Sequence, residues 1–410
     1  MEIRRLPSWT FAIAAALLVA VWQWATVNAN YAGNWTALFR TGALQPQPPE
    51  LAGENIYRFA GSTGYDGQFY HYIAHDPLMR TSLAAAVDNP RFRYRRILVP
   101  ALAYGLALGR TAWVDRAYEA VCLLAIALGV WWSCRFADKS GLAPAWGLLF
   151  LLLPAVPITA DRMVVDAALA ALAVAFLLYV SRPSWKLFVV LSCAALVRET
   201  GFLLIAGYCG WLLWRRQWRG GCIFLLSAVP ALAWYGYVQV LTAQQPIAFA
   251  PFRAILDTFR QPLGYPAGTP LAAWVSAADY LALAGLGLAF LLAIARFANH
   301  PRDPVRIAAL LFVVTGLILR DPNPFRNVYD FGRVYTPLLL CLQRGAGCQP
   351  ADRWTIGPGE RSSPGWFRTM AVGAVETRGP VLLAPVLLML PRIGMQFAPQ
   401  VLGVTRWLAR

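Results

Sequence analysis

The chain has 410 residues, of which 58% are hydrophobic and only 14% are charged. A soluble protein of this length needs far more polar surface, so the composition indicates an integral membrane protein. The formal net charge is +16, from 36 Lys and Arg against 20 Asp and Glu. No basic–aromatic motif of a nucleic-acid-binding module accompanies this charge. We therefore predict no nucleic-acid partner, and interpret the charge as a positive-inside excess in loops together with arginines available for phosphate.

The apolar runs predict an all-α polytopic membrane protein with about eleven spanning helices, each needing about 20 apolar residues. The first run, 9–27, is long for a cleaved signal peptide, which is the alternative. It predicts an uncleaved anchor with the N-terminus in the cytoplasm. The other runs lie near 118–132, 142–158, 164–180, 187–196, 202–214, 222–240, 274–295, 307–319, 334–342 and 381–404.

The orientation depends on one ambiguous apolar stretch, 96–109, which lies within the long segment 28–112. If this stretch crosses the membrane, the loops rich in Lys and Arg alternate onto the wrong side. If it lies along the outer surface, those loops all face the cytoplasm. We therefore predict that 28–112 is a first extracytoplasmic loop with interfacial helices. The expected location is the inner (cytoplasmic) membrane of a cell, with the active site extracytoplasmic.

Three segments follow from these patterns. Residues 1–344 form the predicted transmembrane domain. Residues 345–379 are rich in Gly, Pro, Ser and Arg and have no apolar periodicity, which predicts a disordered cytoplasmic linker. Residues 380–410 are a C-terminal hydrophobic segment, and its prolines make this span the least secure.

Ionisable residues that are unusual near membrane depth gather on the predicted outer side. Charges there are costly to bury and tend to mark function. For any single residue the alternative is a helix-end cap or an ion pair. The residues are Asp66, Asp161, Arg162, Asp166, Arg198, Glu199, Arg320, Asp321, Asp330 and Arg333.

The sharpest local pattern is Gly64-Tyr-Asp-Gly-Gln-Phe-Tyr-His-Tyr-Ile-Ala-His-Asp-Pro77 in the first outer loop. Its first two glycines let the backbone turn tightly around Asp66. The spacing of the following aromatic residues predicts an apolar helical face. That face would lie on the membrane and hold Asp66 at the water–lipid boundary, where a partly buried carboxylate is a candidate general base. The alternative is that Asp66 only caps the helix.

This motif resembles the first outer loop of the glycosyltransferase C superfamily, multispanning enzymes that use polyprenyl-phosphate sugars. Tyr65-Asp-Gly-Gln-Phe-Tyr70 is similar to the Trp-Asp-(x)3-Tyr element of the mannosyltransferase that adds the second mannose of glycosylphosphatidylinositol anchors, with Tyr65 in place of tryptophan. It is closer still to a Tyr-Asp-Gly-Gln-Phe-Tyr stretch in bacterial membrane proteins of cell-surface glycopolymer formation.

Three further segments look like parts of this superfamily. Arg93-Tyr-Arg-Arg-Ile-Leu-Val-Pro100 resembles the interfacial helix after the catalytic loop. Pro154-x-x-Pro-(x)3-Asp161-Arg162-(x)3-Asp166 resembles the second outer loop of lipid-A aminoarabinose and protein mannosyl transferases, with Asp166 at the head of the next helix. Val197-Arg-Glu-Thr-Gly201 also recurs in such proteins.

The resemblance implies an inverting, metal-independent glycosyltransferase without a cofactor. Its donor is a polyprenyl-phosphate sugar, its acceptor is a cell-surface glycan or glycolipid, and Asp66 is the catalytic base. A phosphate leaving group needs positive charge and no proton donor, so one carboxylate suffices, whereas a glycoside hydrolase needs two. The arginines are candidates for donor phosphate, and the other acids for sugar or acceptor hydroxyls. The substrate-binding candidates are Tyr65, Gln68, Tyr70, Arg93, Arg95, Arg96, Asp161, Arg162, Asp166, Arg198, Glu199 and Arg333.

Motifs of several other enzyme classes are missing from the sequence. It contains no Asp-x-Asp, P-loop, Gly-x-Ser-x-Gly or His-Glu-x-x-His. His71 and His75 share a helical face and could bind a metal with Asp66 or Asp76. Such a pair is more often a solvated or stacked face, and we predict no metal.

Two other functions remain as alternatives. One is a transporter or flippase for lipid-linked sugars, and the other is a non-catalytic protein of glycopolymer assembly. The ionisable residues of a carrier are expected near mid-membrane in broken helices. Here they gather at one face, which favours the transferase.

Overall fold

The computed structural model describes residues 6–242, 250–260, 270–318, 325, 327–343 and 380–409. These residues are mostly helical, and Thr41–Gly42 and Arg58–Phe59 form two short parallel strands, β1 and β2. The predicted all-α class is confirmed. The predicted linker at 345–379 lies outside the described residues, as do Arg320 and Asp321.

The helices are numbered here in chain order. They are α1 (Ser8–Asn30), α2 (Asp66–His75), α3 (Pro90–Arg93), α4 (Leu98–Leu106), α5 (Thr111–Lys139), α6 (Ala155–Arg162), α7 (Asp166–Tyr179), α8 (Trp185–Val197), α9 (Gly201–Trp214), α10 (Trp218–Leu225), α11 (Val229–Leu241), α12 (Arg253–Arg260), α13 (Pro270–Asn299), α14 (Pro304–Ile318), α15 (Val328–Val334), α16 (Thr336–Leu342) and α17 (Pro380–Leu408). Short 3-10 segments lie at Trp35–Phe39, Pro49–Leu51, Ser82–Ala86, Pro144–Leu152 and Leu226–Ala228.

Four helices of the described chain are long and apolar enough to cross a membrane: α1, α5, the α10–α11 unit Trp218–Leu241, and most of α13. A fifth crossing results if Pro144–Leu152 and α6, which meet at 59°, are one broken span. These are the helices of a multi-pass membrane protein. The expected eleven spans are not confirmed, because α7, α8, α9 and α14 have only 13 to 15 residues against the about 20 that a span needs.

The segment between α1 and α5 contains three short helices. The stretch 96–109, which charge alternation predicts not to cross, holds α4, a helix of nine residues that packs against α2 and α5. Ahead of it, the side chain of Asn89 accepts a hydrogen bond from the backbone of Phe92 at 3.1 Å, and Pro90 occupies the first turn. This cap and proline define the start of α3.

The C-terminal segment forms one long helix, α17, which packs against α1 and α13. It continues through Pro385, Pro391 and Pro399, although each proline removes a backbone hydrogen bond. It is not among the four candidate spans. Its packing nevertheless makes it part of the helical bundle, and this places side chains of α17 beside the site described next.

Candidate functional site

Eight charged side chains form a continuous series in which carboxylates and arginines alternate, which we call the carboxylate–arginine chain. They come from the first loop, the start of α7, the α8–α9 turn and α15. All of them except Asp88 are site residues that the sequence predicts. In order of contact they are Asp88, Arg93, Asp66, Arg333, Asp166, Arg198, Glu199 and Arg96.

Asp66 is the first residue of α2, where the helix dipole favours a negative charge. Its Oδ2 atom lies 2.7 Å from Nη1 of Arg93 and 2.5 Å from Nη2 of Arg333. Burial raises the pKa of Asp66, but the positive charges of Arg333 and Arg93 outweigh burial and hold this pKa well below its usual range. The carboxylate is therefore ionised at neutral pH.

Two glycines allow the tight packing around Asp66. Gly64 has a φ of +86°, a conformation that residues with a side chain rarely adopt. A Cβ atom on Gly67 would lie 2.1 Å from the carbonyl oxygen of Arg162. The backbone at the start of α2 thus directly abuts the end of α6, and this contact determines where Asp66 lies.

Gln68 and Tyr70 of α2 are buried and hydrogen-bonded within the protein. The Gln68 amide accepts from the backbone of Gly42 at 3.1 Å and donates to the carbonyl of Thr63 at 2.9 Å. The Tyr70 hydroxyl accepts from Nη1 of Arg96 at 2.9 Å. Gln68 therefore stabilises the conformation of the loop before α2, and Tyr70 connects α2 to Arg96, the last arginine of the carboxylate–arginine chain.

Asp166 is the most enclosed member, with a fully buried side chain at the start of α7. Arg198, the residue after α8, donates a hydrogen bond to it through Nη1. Nη1 of Arg333 lies 3.4 Å from its other oxygen. Because Arg333 contacts Asp66, Asp166 and also Asp330 at 3.0 Å, it is the central cation of the site.

Glu199 and Arg96 form a bidentate pair at the other end, with distances of 2.9 and 2.6 Å. Burial alone would raise the pKa of Glu199, but the positive charges of Arg96 and Arg198 outweigh burial and lower this pKa to about 2. Arg95 does not join the carboxylate–arginine chain. Its guanidinium carbon lies 5.2 Å from the ring centre of Tyr235, and it has no ion pair with the residues that the structure describes.

Two arginines of the carboxylate–arginine chain each have a hydrogen-bond donor that is not used. The Nε–H groups of Arg198 and Arg333 are buried and make no hydrogen bond within the described parts of the protein, although Nε of Arg198 lies 3.6 Å from Oε1 of Glu199. Buried donors in native proteins are nearly always bonded to protein or water. These two N–H groups could therefore donate to an oxygen of a bound ligand without loss of an existing hydrogen bond.

Asp161 belongs to a second, neighbouring cluster. It is buried near the end of α6, where Nη2 of Arg40 lies 2.6 Å from its Oδ1 and the Gln400 amide donates to the same atom at 2.7 Å. Nε of Arg162 lies 3.5 Å from its Oδ2. This cluster joins the first loop, α6 and α17.

Tyr65 links this second cluster to the carboxylate–arginine chain. Its backbone N–H donates to the carbonyl of Arg40 at 3.0 Å, and its hydroxyl donates to Asp330 at 3.2 Å. The guanidinium carbons of Arg162 and Arg333 lie 4.2 and 5.0 Å from its ring centre. Burial raises the pKa of Tyr65 far above its usual value, so the hydroxyl remains a hydrogen-bond donor at neutral pH.

A cleft of about 780 Å³ opens beside the second cluster, between the end of α1, the start of α13 and α17. Apolar side chains of α13 and α17 contribute to its walls, and Arg40, Arg392 and Gln400 add polar groups. Asp66 does not line this cleft. The two are connected through Tyr329, whose carbonyl accepts from Tyr65 at 3.3 Å and whose hydroxyl accepts from Arg392 at 2.6 Å.

Several residues of the site are not among the sequence-predicted candidates. Arg392 is 5% exposed inside the last apolar run, and its Nε lies 3.0 Å from Asp279 of α13. Charges within apolar runs are the signal that could have identified both residues. Arg40 and Asp88 lie in the first loop, where no sequence pattern distinguishes them.

The site as a whole combines an ionised carboxylate, a largely buried row of arginines and a nearby cleft with apolar walls. Such an arrangement can hold a hydroxyl group at Asp66 and an anionic group at the arginines. Comparison of the chain with protein-family models, with curated proteins and with solved structures found no match.

Proposed function

We propose that this protein is an integral membrane glycosyltransferase that moves a sugar from a polyprenyl-phosphate donor to a cell-surface glycan or glycolipid. The site would face the extracytoplasmic side of the cytoplasmic membrane. The observation that carries the proposal is the carboxylate–arginine chain, which gathers Asp66 and four arginines from distant segments. A carboxylate for the acceptor hydroxyl and positive charge for the phosphate are the two components that this transfer needs.

The proposed reaction is a single displacement with inversion. The acceptor hydroxyl oxygen forms a bond to the anomeric carbon, the bond from that carbon to the phosphate oxygen breaks, and the hydroxyl proton passes to Asp66. The polyprenyl phosphate leaves with the additional negative charge. Arg333 and Arg198 are suited to stabilise it because each has a buried Nε–H that makes no hydrogen bond with the described residues.

The depressed pKa of Asp66 suits a base that becomes active only when the donor is bound. In the free protein, Arg333 and Arg93 stabilise the anion, which makes the carboxylate a weak base. A donor phosphate would neutralise part of their charge and add a negative charge nearby. Both effects raise the pKa of Asp66, so its basicity would increase when the donor arrives.

We place the lipid chain of the donor in the cleft between α1, α13 and α17. Leu271, Val275 and Met395 give it apolar wall area, and Arg40 and Arg392, which also line it, add positive charge. Its lining therefore matches a ligand that is apolar along most of its length and anionic at one end.

The proposal is tested by Asp66→Asn, which keeps the side-chain size but removes the base. Sugar transfer from a labelled polyprenyl-phosphate sugar to a cell-envelope acceptor fraction should fall about 100-fold, the usual contribution of general-base catalysis. The matched control is Asp88→Asn, which also removes a carboxylate from Arg93 but at a side chain that is 43% exposed and does not contact Arg333. The control should keep transfer within about threefold. Full transfer in Asp66→Asn would reassign Asp66 to helix capping.

Assays of the wild-type protein also distinguish this function from the two alternative functions. A purified protein that moves the labelled lipid across vesicles but never transfers its sugar would be a flippase. A protein that does neither, while its loss still stops surface glycan formation in cells, would be a non-catalytic assembly protein.

A further inference from the structure

Glu54, His71, His75 and Asp115 form a separate cluster of metal-ligand side chains. The two histidines lie five and nine residues after Asp66 on α2, which at 3.6 residues per turn places them on the opposite face of the helix. Glu54 comes from the loop before β2, and Asp115 from the first turns of α5. This cluster therefore lies apart from the carboxylate–arginine chain.

Three of these side chains, Glu54, His71 and His75, each offer one ligand atom, and these atoms lie within 4.8 Å of one another, while Asp115 adjoins both imidazoles. The Nε2 atoms of His71 and His75 are 3.1 Å apart. Oδ1 of Asp115 lies 2.7 Å from the first and 3.6 Å from the second, and Oε2 of Glu54 lies 3.9 Å from Nε2 of His71. Around a tetrahedral Zn²⁺ with bonds of about 2.1 Å, neighbouring donor atoms are roughly 3.4 Å apart. The His71–His75, His75–Asp115 and Glu54–His71 distances lie within about 0.5 Å of this value, whereas the 2.7 Å contact of Asp115 with His71 is as short as a hydrogen bond.

The carboxylates of the cluster lack other partners. Within the described chain neither Glu54 nor Asp115 pairs with an arginine or lysine, and their partners are the two imidazoles. Oε2 of Glu54 is buried and has no hydrogen-bond partner there, and Oδ1 of Asp115 lies within hydrogen-bond distance of Nε2 of His71. The side chains of His71 and His75 are 0% and 3% exposed. One divalent cation would balance both negative charges and use the free lone pairs of Glu54.

We infer that Glu54, His71, His75 and Asp115 bind one divalent transition-metal ion, for which Zn²⁺ is the best fit. Two imidazoles and two carboxylates are ligand types that zinc prefers, and imidazole ligands disfavour Mg²⁺ and Ca²⁺. From the sequence alone we predict no metal, with Asp66 or Asp76 as the alternative partners of the histidines. The tertiary structure brings Glu54 and Asp115 to them instead.

The ion has a structural role in this arrangement. It connects the first loop, α2 and the candidate span α5, and so holds α2 against the membrane helix. Asp66 is on the other face of α2, so the ion positions that residue without contacting the reacting groups. The inference does not depend on the proposed glycosyltransferase activity.

The test is a metal measurement on the purified full-length protein, produced with an affinity tag that contains no histidine. We expect about one Zn²⁺ per chain by mass spectrometry of metals, and rebinding of Zn²⁺ alone after chelation with EDTA. Glu54→Gln and His75→Gln should each weaken Zn²⁺ binding at least about tenfold. Glu50→Gln is the matched control, because Glu50 is an exposed carboxylate of the same loop that bonds to Ser82.

Melting curves provide a second measurement that does not depend on activity. The melting temperature of the wild type should fall with EDTA and return with Zn²⁺, whereas that of Glu54→Gln should respond to neither. Glu54 is 22% exposed, so its variant should fold and decide the result even if His75→Gln does not. A wild type that binds no Zn²⁺, or a Glu54→Gln variant that binds as tightly as Glu50→Gln, would overturn the inference. The cluster would then be a set of imidazole–carboxylate hydrogen bonds.

Discussion

Glu199→Gln is the substitution that tests the carboxylate–arginine chain most directly. Arg96 is 1% exposed, and Glu199 is its only carboxylate partner among the described residues. Glutamine keeps the size and some hydrogen bonding but leaves a buried guanidinium without a counter-charge. Removing one partner of a buried ion pair is strongly destabilising for this reason.

The size of the effect follows from the pKa of Glu199, which is about 2 against its ordinary value of 4.5. At about 1.4 kcal/mol for each pH unit, this difference corresponds to roughly 3 to 4 kcal/mol of stability. The side chain is 31% exposed, so solvent screening reduces the figure, and we expect about 2 kcal/mol. For a chain of this length, that loss lowers the melting temperature by roughly 2 to 3 °C.

The pH dependence has a definite sign because the pKa of Glu199 is lowered in the folded protein. The stabilisation is fully present above pH 4.5 and is lost as the pH falls from 4.5 towards about 2. The difference in melting temperature between wild type and Glu199→Gln should therefore be constant from about pH 5 to pH 8 and narrow below 4.5.

The assay is thermal unfolding of the purified protein in detergent at several pH values. Glu119→Gln is the matched control, because its partner Arg116 is 52% exposed and lies 3.3 Å away, so the control should shift the melting temperature by less than about 1 °C. Equal melting temperatures for wild type and Glu199→Gln at neutral pH would refute the reasoning. So would a difference that stays unchanged on acidification to about pH 3.

Three further predictions concern packing, topology and phosphate contact. Gly67→Ala places a Cβ atom 2.1 Å from a backbone carbonyl oxygen, so it should lower the free energy of unfolding by at least about 2 kcal/mol. Gly53→Ala, where no atom lies within 4 Å of the added Cβ, is the control and should leave stability unchanged. Equal stability of the two variants in thermal unfolding would contradict the close contact. A reporter fused after Asn89 should be extracytoplasmic and one after Gln217 cytoplasmic, and both on one side would refute the topology. Arg198→Lys keeps the charge but loses the planar guanidinium. If Arg198 contacts the leaving phosphate, turnover should fall more than donor affinity, because the charge on the phosphate grows in the transition state. Equal losses of turnover and donor affinity would mean that Arg198 contacts the donor equally before and during the reaction.

The sequence by itself determined the helical membrane class and the local setting of Asp66. Length and hydrophobicity of an apolar run are local properties, and most predicted runs coincide with helices such as α1, α5 and α13. The glycines on either side of Asp66 also act locally, and α2 begins at that residue. The number of membrane crossings could not be predicted as well from the sequence, because an apolar run does not show whether its helix continues for the full length of a span, about 20 residues.

Only the tertiary structure decided which charged groups meet. Arg333 contacts Asp66 across 267 positions of the sequence, and Arg392 reaches Asp279 from the last helix. The same holds for Glu54, which joins two histidines that a helical spacing had already paired. Charged side chains carry no periodic signal of their partners, because a long-range ion pair forms only after the packing of apolar helix faces has brought its two segments together.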